Sequence, residues 1–219
     1  MTTISLDPLD LAALLCSRVC HDVISPVGAI VNGLEVLEDE QESGMREIAL
    51  DLIKKSARAA SARLQFCRLA FGAAGSAGAS IDTGDAESVT RSLIVNEKIS
   101  LEWLAARQLL PKNKVKLLLN LCLIVAATIP RGGKVSVDLV GEGDQAVLRV
   151  SSRGPNAKLQ HGVADLLAGR PETGRVDAHS IQPYYAGLVA RECGLEVNVV
   201  IEPDGVALTA APDAAVAAA

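Results

Sequence analysis

The sequence has few aromatic residues, no basic cluster and no long apolar run, and each scarcity excludes a class of protein. Phe, Trp and Tyr make up 2% of the 219 residues, so Ala, Val, Leu and Ile must fill any core. A net charge of −5 without a Lys/Arg cluster argues against nucleic acid as the main partner. The longest apolar run, residues 115–129, contains Lys116 and Asn120 and is too short to span a bilayer.

Export and metal-binding signals are scarce as well. No segment combines a basic start, an apolar centre and a small-residue cleavage site, so we expect a soluble, cytoplasmic protein. The five cysteines are odd in number and have apolar neighbours, which favours reduced thiols that pack as small core residues. Cys16 and Cys20 share a helix face just before His21, but no second Cys/His pair completes four ligands, so no metal site is predicted.

A long amphipathic helix near the N-terminus presents one of the three histidines. Asp7-Pro8 is typical of a helix start, and the helical pattern continues to about Glu38. His21 lies about 200° around this helix from an apolar stripe, so we expect the stripe to be buried and the imidazole to be exposed. The stripe consists of Leu11, Leu15, Val19, Val23, Val27, Ile30, Leu34 and Leu37.

A second helix is predicted from Met45 to about Phe71, after a polar turn at residues 39–44. The two helices form an antiparallel hairpin, which cannot cover its own apolar faces. Two copies would close a four-helix bundle, so a homodimer is predicted.

The pattern changes after a small-residue linker at residues 72–80. The following segments favour an α+β fold, with helices on one face of a mostly antiparallel sheet. We therefore predict a hairpin domain at residues 1–75, a second domain at 81–213 and an Ala-rich tail at 214–219. Helices are expected at 85–98, 112–128, 162–167 and 181–193, and strands at 101–104, 134–140, 146–151, 195–201 and 206–210.

His21-Asp22-x-x-x-Pro26 resembles the H-box of sensor histidine kinases, and the two halves of the chain resemble the core of those kinases. The resemblance implies a dimerising hairpin followed by an ATPase-like α/β sandwich. It also implies that His21 is the phosphoacceptor, since a neutral imidazole nitrogen is a competent nucleophile. Asp22 would support it by orienting the ring or accepting a proton from its other nitrogen.

The nucleotide motifs of that family are degraded in this chain. Ile124 stands where the kinases have a magnesium-binding Asn, and Ser152 stands where they have an adenine-binding Asp. Asn156 replaces the second glycine of the same box, and residues 177–183 replace a glycine-rich stretch. Without those glycines, backbone N–H groups cannot close on phosphates, so we expect no ATP binding and no nucleotide cofactor.

The sequence keeps the histidine but lacks the nucleotide-binding residues. In this combination it resembles the ChpT-type histidine phosphotransferases over nearly the whole chain. Residues 63–73 and 181–185 also carry the resemblance. It implies a phosphorelay carrier that takes phosphate from the receiver domain of a CckA-like hybrid kinase. The carrier would pass the phosphate to CtrA-like and CpdR-like response regulators of the cell cycle. Mg²⁺ would be supplied by the partner receiver.

The residues around His21 suit the docking of a receiver. Leu14, Ser17, Arg18, Ser25 and Gly28 are predicted on its face, where the small side chains permit a close approach. Arg18 is a candidate contact to a transferring phosphoryl group, and Arg63 of the second helix is a candidate partner contact. The remaining histidines, His161 and His179, are assigned no role, and Tyr184 and Tyr185 are assigned to the core.

Two other functions stay open from the sequence. The first is an ATP-dependent histidine kinase with a divergent nucleotide site. The second is a non-catalytic dimeric adaptor that binds receiver domains, and fold analogy alone does not separate these possibilities.

Overall fold

The computed structural model describes residues 3–39, 43–72 and 79–212. The N-terminal part is a hairpin of α1 (Pro8–Asp39) and α2 (Ser43–Ala70). The predicted start of α1 is confirmed, since the Asp7 carboxylate accepts a hydrogen bond from the Leu9 N–H at 2.8 Å. The helices approach closely at Gly33, where a Cβ would lie 2.7 Å from Cγ1 of Ile53.

The C-terminal domain is the expected α+β structure. Its five-stranded sheet has the order β2-β4-β5-β7-β6, in which only the β2–β4 pair is parallel. The elements are β1 (Ser80–Asp82), α3 (Thr83–Ile94), β2 (Ile99–Trp103), β3 (Leu109–Pro111), α4 (Lys112–Ala127), β4 (Gly133–Val140), β5 (Val147–Arg153), α5 (Val163–Leu167), α6 (Ile181–Glu192), β6 (Leu195–Glu202) and β7 (Gly205–Pro212). The small β1–β3 ladder was not predicted.

The core of the domain lies between the sheet and α4. Buried residues alternate along β4, β5 and β7, so one face of the sheet is covered. The end of the hairpin joins this core through Phe66 and Ala70, which are fully buried. A polar link lies beside them. The Asn120 amide donates to the Ala70 carbonyl at 3.2 Å, and the Gln182 amide donates to Asn120 Oδ1 at 3.1 Å.

The predicted burial of the α1 stripe is wrong for a single chain. The buried residues of α1 are Pro26 and Gly33, whereas Val27 and Leu34 of the stripe are exposed and its other members are half-buried. The buried side of α1 is therefore the side that faces α2. Apolar periodicity does not tell whether an apolar helix face is covered within the chain or stays exposed to solvent.

The prediction of core thiols holds only in part. All five cysteines are free, but Cys16 and Cys20 are exposed, and Cys122 is the one that is buried. Apolar neighbours did not indicate burial here, because Leu14 and Leu15 are half-buried against the C-terminal domain while the adjacent Cys16 is exposed. Of the predicted linker, residues 73–78 lie outside the described residues, as does the Ala-rich tail.

By length and composition alone, α1 would pass as a membrane-crossing helix, which the sequence reasoning missed by considering only residues 115–129. A single helix of this length and composition is weak evidence of a membrane span. Because α1 packs along α2 and carries an Arg18–Asp22 ion pair, we interpret it as one side of a hairpin in water.

Candidate functional site

His21 lies on the open side of α1, with 69% of its side chain exposed. Its Nδ1 is 3.6 Å from Oδ1 of Asp22, while Oδ2 of Asp22 accepts a hydrogen bond from Nε of Arg18 at 3.0 Å. A carboxylate near Nδ1 favours the tautomer that carries its proton there, which leaves the lone pair on Nε2. The three side chains thus lie together on the exposed side of α1.

The space around His21 is open in the direction of the C-terminal half of α1. Ser25, one turn on, is exposed, and a Cβ on Gly28 would meet no atom within 4 Å. This agrees with the small-residue face expected from the sequence. Leu14, which the same reasoning put on that face, instead packs against Leu166 and Tyr184 of the C-terminal domain.

Arg63 of α2 shares a cleft of about 290 Å³ with Asp22, Phe66 and Cys67. Its guanidinium donates to the Ala59 carbonyl at 3.4 Å, which holds the side chain along its own helix. Burial is the main reason that the pKa of Cys67 is raised to about 11, and the negative charge of Asp22 adds to it. The hairpin therefore brings Arg63 and Asp22 to one cleft, while the predicted contact of Arg63 with a partner stays a prediction.

The structure brings a further residue to the site, His179, to which sequence reasoning gave no role. Its ring centroid lies 5.8 Å from that of His21, with an angle of 79° between the ring planes. His179 lies 158 positions along the chain, just before α6, in the segment that replaces the glycine-rich stretch. That replacement was a visible signal, but the contact itself depends on how the domain docks on the hairpin. His161 pairs with Glu172 at 3.5 Å and stays without a role.

Two of the three segments that resemble nucleotide motifs, residues 120–130 and 177–183, line a cleft of about 350 Å³ that reaches Arg18 on α1. At the position of the adenine-binding carboxylate, Oγ of Ser152 lies 2.7 Å from Oγ1 of Thr128, whose hydroxyl donates to the Val125 carbonyl at 2.7 Å, so both buried hydroxyls have partners within the chain. At the position of the magnesium-binding amide, Ile124 is buried. This cleft offers a nucleotide neither the carboxylate nor the amide that the kinase motifs supply.

The turn before α6 also differs from a phosphate-binding loop. The Asp177 carboxylate accepts hydrogen bonds from the N–H groups of His179 at 3.0 Å and Ser180 at 2.8 Å. The pKa of Asp177 is kept below its usual value mainly by the hydrogen bond from the Ser180 hydroxyl. The hydrogen bond from the Ser180 N–H is the second cause. The backbone donors of this turn are occupied by a carboxylate of the chain itself.

Metal ligands are not clustered near this site. In residues 3–39, 43–72 and 79–212, no group of three or more His, Cys, Asp or Glu side chains is arranged to hold an ion. Cys16 and Cys20, which precede His21, are free thiols.

An exposed histidine on a helical hairpin, joined to an α+β domain with an altered nucleotide cleft, defines the histidine phosphotransferase class. Comparison places the chain in that class. Residues 83–205 match the family of histidine phosphotransferase C-terminal domains, and the chain belongs to the histidine phosphotransferase family. It is 53% identical over 196 residues to the protein phosphotransferase ChpT of Brucella abortus (strain 2308), covering 90% of this chain and 92% of that protein.

One solved structure gives the same relation. A structure described as a bacterial phosphotransferase, at 1.7 Å, matches with a TM-score of 0.87 at 47% identity, over 96% of this chain and 100% of that one. A weaker match is the histidine kinase AdeS of Acinetobacter baumannii, with a TM-score of 0.46 at 10% identity, over 87% of this chain and 95% of that one. The protein is a protein phosphotransferase of the ChpT-like type.

Proposed function

We propose that the protein is the middle carrier of a multistep phosphorelay, in which His21 takes phosphate from one receiver domain and gives it to another. The observation that carries the proposal is the exposed imidazole of His21, with its Nδ1 3.6 Å from the Asp22 carboxylate. An exposed nucleophile suits a reaction whose second reactant is the surface of another protein.

The transfer step needs only groups that the two proteins supply. Nε2 of His21 attacks the phosphorus of an aspartyl phosphate; the N–P bond forms as the P–O bond breaks, and the receiver carboxylate leaves with the electron pair. Nδ1 keeps its proton, and the positive charge that develops on the ring is stabilised by Asp22. The reverse step passes the phosphoryl group to the next receiver, with Mg²⁺ held by the receiver in each case.

The expected donor is the receiver domain of a CckA-like hybrid histidine kinase, and the expected acceptors are CtrA-like and CpdR-like response regulators of the cell cycle. The 53% identity to a protein phosphotransferase ChpT supports this assignment. We place the reaction in the cytoplasm, where response regulators act.

Four residues are proposed to contact the receiver. Ser25 and Gly28 leave room for its approach. Arg18 is held by Asp22 at 3.0 Å, which directs a cation to within one helical turn of the reacting ring. Arg63 lines the neighbouring cleft and supplies a second cation on the α2 side.

We infer that the protein does not use ATP. The Ser152–Thr128 pair and the self-capped turn at residues 177–180 support this, because each satisfies internally the groups with which a kinase would bind a nucleotide. A divergent ATP-dependent kinase is the alternative that this inference opposes.

We further propose that the protein is a homodimer. The hairpin exposes a row of large apolar side chains on both helices, and a second hairpin would cover it as a four-helix bundle. The row consists of Ile24, Val27, Val31, Leu34, Met45, Ile48 and Leu52.

The deciding experiment follows labelled phosphate from a phosphorylated hybrid-kinase receiver to the wild-type protein, the His21→Ala variant and a matched His161→Ala control. An additional lane contains wild-type protein and labelled ATP alone. We expect acid-labile label on wild type and on His161→Ala, and none on His21→Ala or in the ATP lane. Label from ATP would establish the kinase alternative, and absence of label from the receiver would favour the non-catalytic adaptor.

A further inference from the structure

The contact between His21 and His179 joins the two halves of the molecule at the reacting ring. The centroids are 5.8 Å apart and the planes are at 79°, which is the edge-to-face arrangement that aromatic rings prefer. Among the described residues this is the one ring contact made by His21. The rest of its side chain is open to solvent on the side where a receiver would approach.

His179 is held in place by a short turn that the chain stabilises with its own carboxylate. Oδ1 of Asp177 accepts hydrogen bonds from the N–H of His179, from the N–H of Ser180 and, at 2.7 Å, from the hydroxyl of Ser180. α6 begins at the next residue, Ile181, which is fully buried. The backbone that carries His179 is therefore fixed to a core helix.

The same end of α6 is attached to the beginning of α1. The Tyr184 hydroxyl donates to the Ile4 carbonyl at 3.1 Å, and the Ile4 N–H donates to the Gly169 carbonyl at 3.0 Å. Leu11, Leu14 and Leu15 of α1 pack on a buried cluster formed by Leu166, Ile181 and Tyr184. Because this attachment lies about two turns before His21 on a continuous helix, it sets where His179 meets the phosphoacceptor.

We propose that His179 is a positioning residue for the phosphoacceptor: its ring packs edge-to-face on His21 and keeps Nδ1 toward Asp22 and Nε2 toward the receiver. The inference rests on the proposed function of His21. An exposed imidazole samples several rotamers, and only one of them directs the lone pair at the incoming phosphorus. The altered domain would thus contribute to transfer by fixing the geometry of the nucleophile, a role that no longer needs a nucleotide.

The proposal assigns the effect to ring packing, and this makes it testable with paired substitutions in the full chain. His179→Ala removes the ring, His179→Phe keeps an aromatic ring without nitrogens, and His161→Ala removes an exposed histidine of the same domain that contacts Glu172. We expect single-turnover transfer from a phosphorylated receiver to slow about threefold to tenfold in His179→Ala. The rate should return to near wild type in His179→Phe and stay unchanged in His161→Ala.

A second readout follows His21 directly. The ¹⁵N chemical shifts of its ring report which nitrogen carries the proton, and a merely structural role of His179 would not move them. We expect His179→Ala to shift His21 toward a mixture of tautomers while circular dichroism and the unfolding temperature stay close to wild type. His179→Phe should keep the wild-type tautomer.

Three outcomes would overturn the proposal. The first is a His179→Ala protein with wild-type rate and wild-type His21 shifts. The second is a His179→Phe protein as slow as His179→Ala, which would mean that the nitrogens matter and not the ring. The third is loss of transfer with unchanged His21 shifts, which would assign His179 to receiver contact. If wild type accepts no phosphate, the proposed function fails, yet the ring shifts still decide whether His179 orients His21.

Discussion

The hairpin and the C-terminal domain use their apolar residues in opposite ways. α4 buries ten of its 16 residues, whereas the buried residues of the 32-residue α1 are Pro26 and Gly33. Among the described residues, eleven of the 17 exposed large apolar side chains lie in the hairpin. Exposed apolar side chains at helical spacing are surface for another protein chain. The domain therefore covers most of its large apolar side chains within the chain, whereas the hairpin leaves many of its own exposed.

Chemistry follows the same division. The hairpin presents an exposed histidine next to a carboxylate, and the domain has buried or internally satisfied the positions that correspond to nucleotide ligands. A reaction with the surface of another protein requires an exposed side chain on a rigid helix. Retaining the domain without its ligand residues is consistent with a role in which its folded core, and the turn it carries, are what matter.

The largest expected effect is on assembly. Ile48 and Val31 are 65% and 48% exposed in the hairpin, and a second hairpin would bury them. The double variant Val31→Glu/Ile48→Glu would place charges in a bundle core, so we expect complete loss of the dimer. Light scattering coupled to size exclusion measures this. The matched variant Val200→Glu, which is 47% exposed on β6, should remain dimeric.

A dimeric Val31→Glu/Ile48→Glu protein would show that another face associates. Wild-type protein that runs as a monomer would contradict the dimer itself.

The next largest effect concerns the domain core. Leu118 in α4 is fully buried, and truncating it to Ala should lower the free energy of unfolding by about 2–5 kcal/mol. Leu9 in α1 is 80% exposed, so Leu9→Ala should stay within about 0.5 kcal/mol of wild type. Chemical denaturation of both variants measures the difference. Equal losses would mean that the apolar residues of the two regions do not differ as described.

A smaller effect is expected where the two regions join. Asn120→Ala would leave the Ala70 carbonyl without its side-chain donor and remove one acceptor of Gln182, at a cost of about 1–3 kcal/mol. Asn198→Ala, at an exposed position of β6, is the matched control and should be close to neutral. Denaturation followed at Trp103, in the C-terminal domain, gives the values. A neutral Asn120→Ala would argue that the polar link contributes nothing to joining the regions.

The sequence was sufficient for features that depend on local pattern. The capped start of α1 at Asp7-Pro8, the order of the main helices and strands in the domain (without the β1–β3 ladder), and the exposure of His21 all follow from periodicity and turn chemistry. Each is decided by residues within a few positions of one another, and these are the interactions that a pattern records.

Features that depend on docking could not be predicted. His179 meets His21 across 158 positions, and Asn120 meets Gln182 across 62. Neither pair has a spacing signal, because the first contact depends on how the turn before α6 packs against the hairpin and the second on how α4 and α6 pack on each other. The exposure of Cys16 was mispredicted for a related reason: Leu14 and Leu15 do pack on the C-terminal domain, but a local pattern does not tell which side of the helix that domain covers.

The smallest expected effect is the loss of a surface ion pair. The Asp82–Arg107 pair joins separate segments of the domain, whereas the Asp51–Lys55 pair lies within one helix of the hairpin. Asp82 caps α3 by accepting from the Gly84 N–H at 2.8 Å, and its carboxylate pairs with Arg107 at 2.8 Å. Asp51 pairs with Lys55 at 2.7 Å within one turn of α2. Asn keeps the cap but loses the charge, so Asp82→Asn should lower the unfolding temperature by a few degrees at pH 7, and Asp51→Asn by less.

The pH dependence of this effect has a defined sign. The hydrogen bond from Arg107, followed by that from Gly84, keeps the pKa of Asp82 below its usual value. A carboxylate with a lowered pKa contributes stability above its ordinary pKa and loses that contribution as the pH falls through the lowered one. The difference in unfolding temperature between wild type and Asp82→Asn should therefore be largest at pH 7. It should decrease toward zero as the pH falls below about 4. A difference that stays constant with pH would mean that the ionised pair with Arg107 is not what stabilises this end of α3.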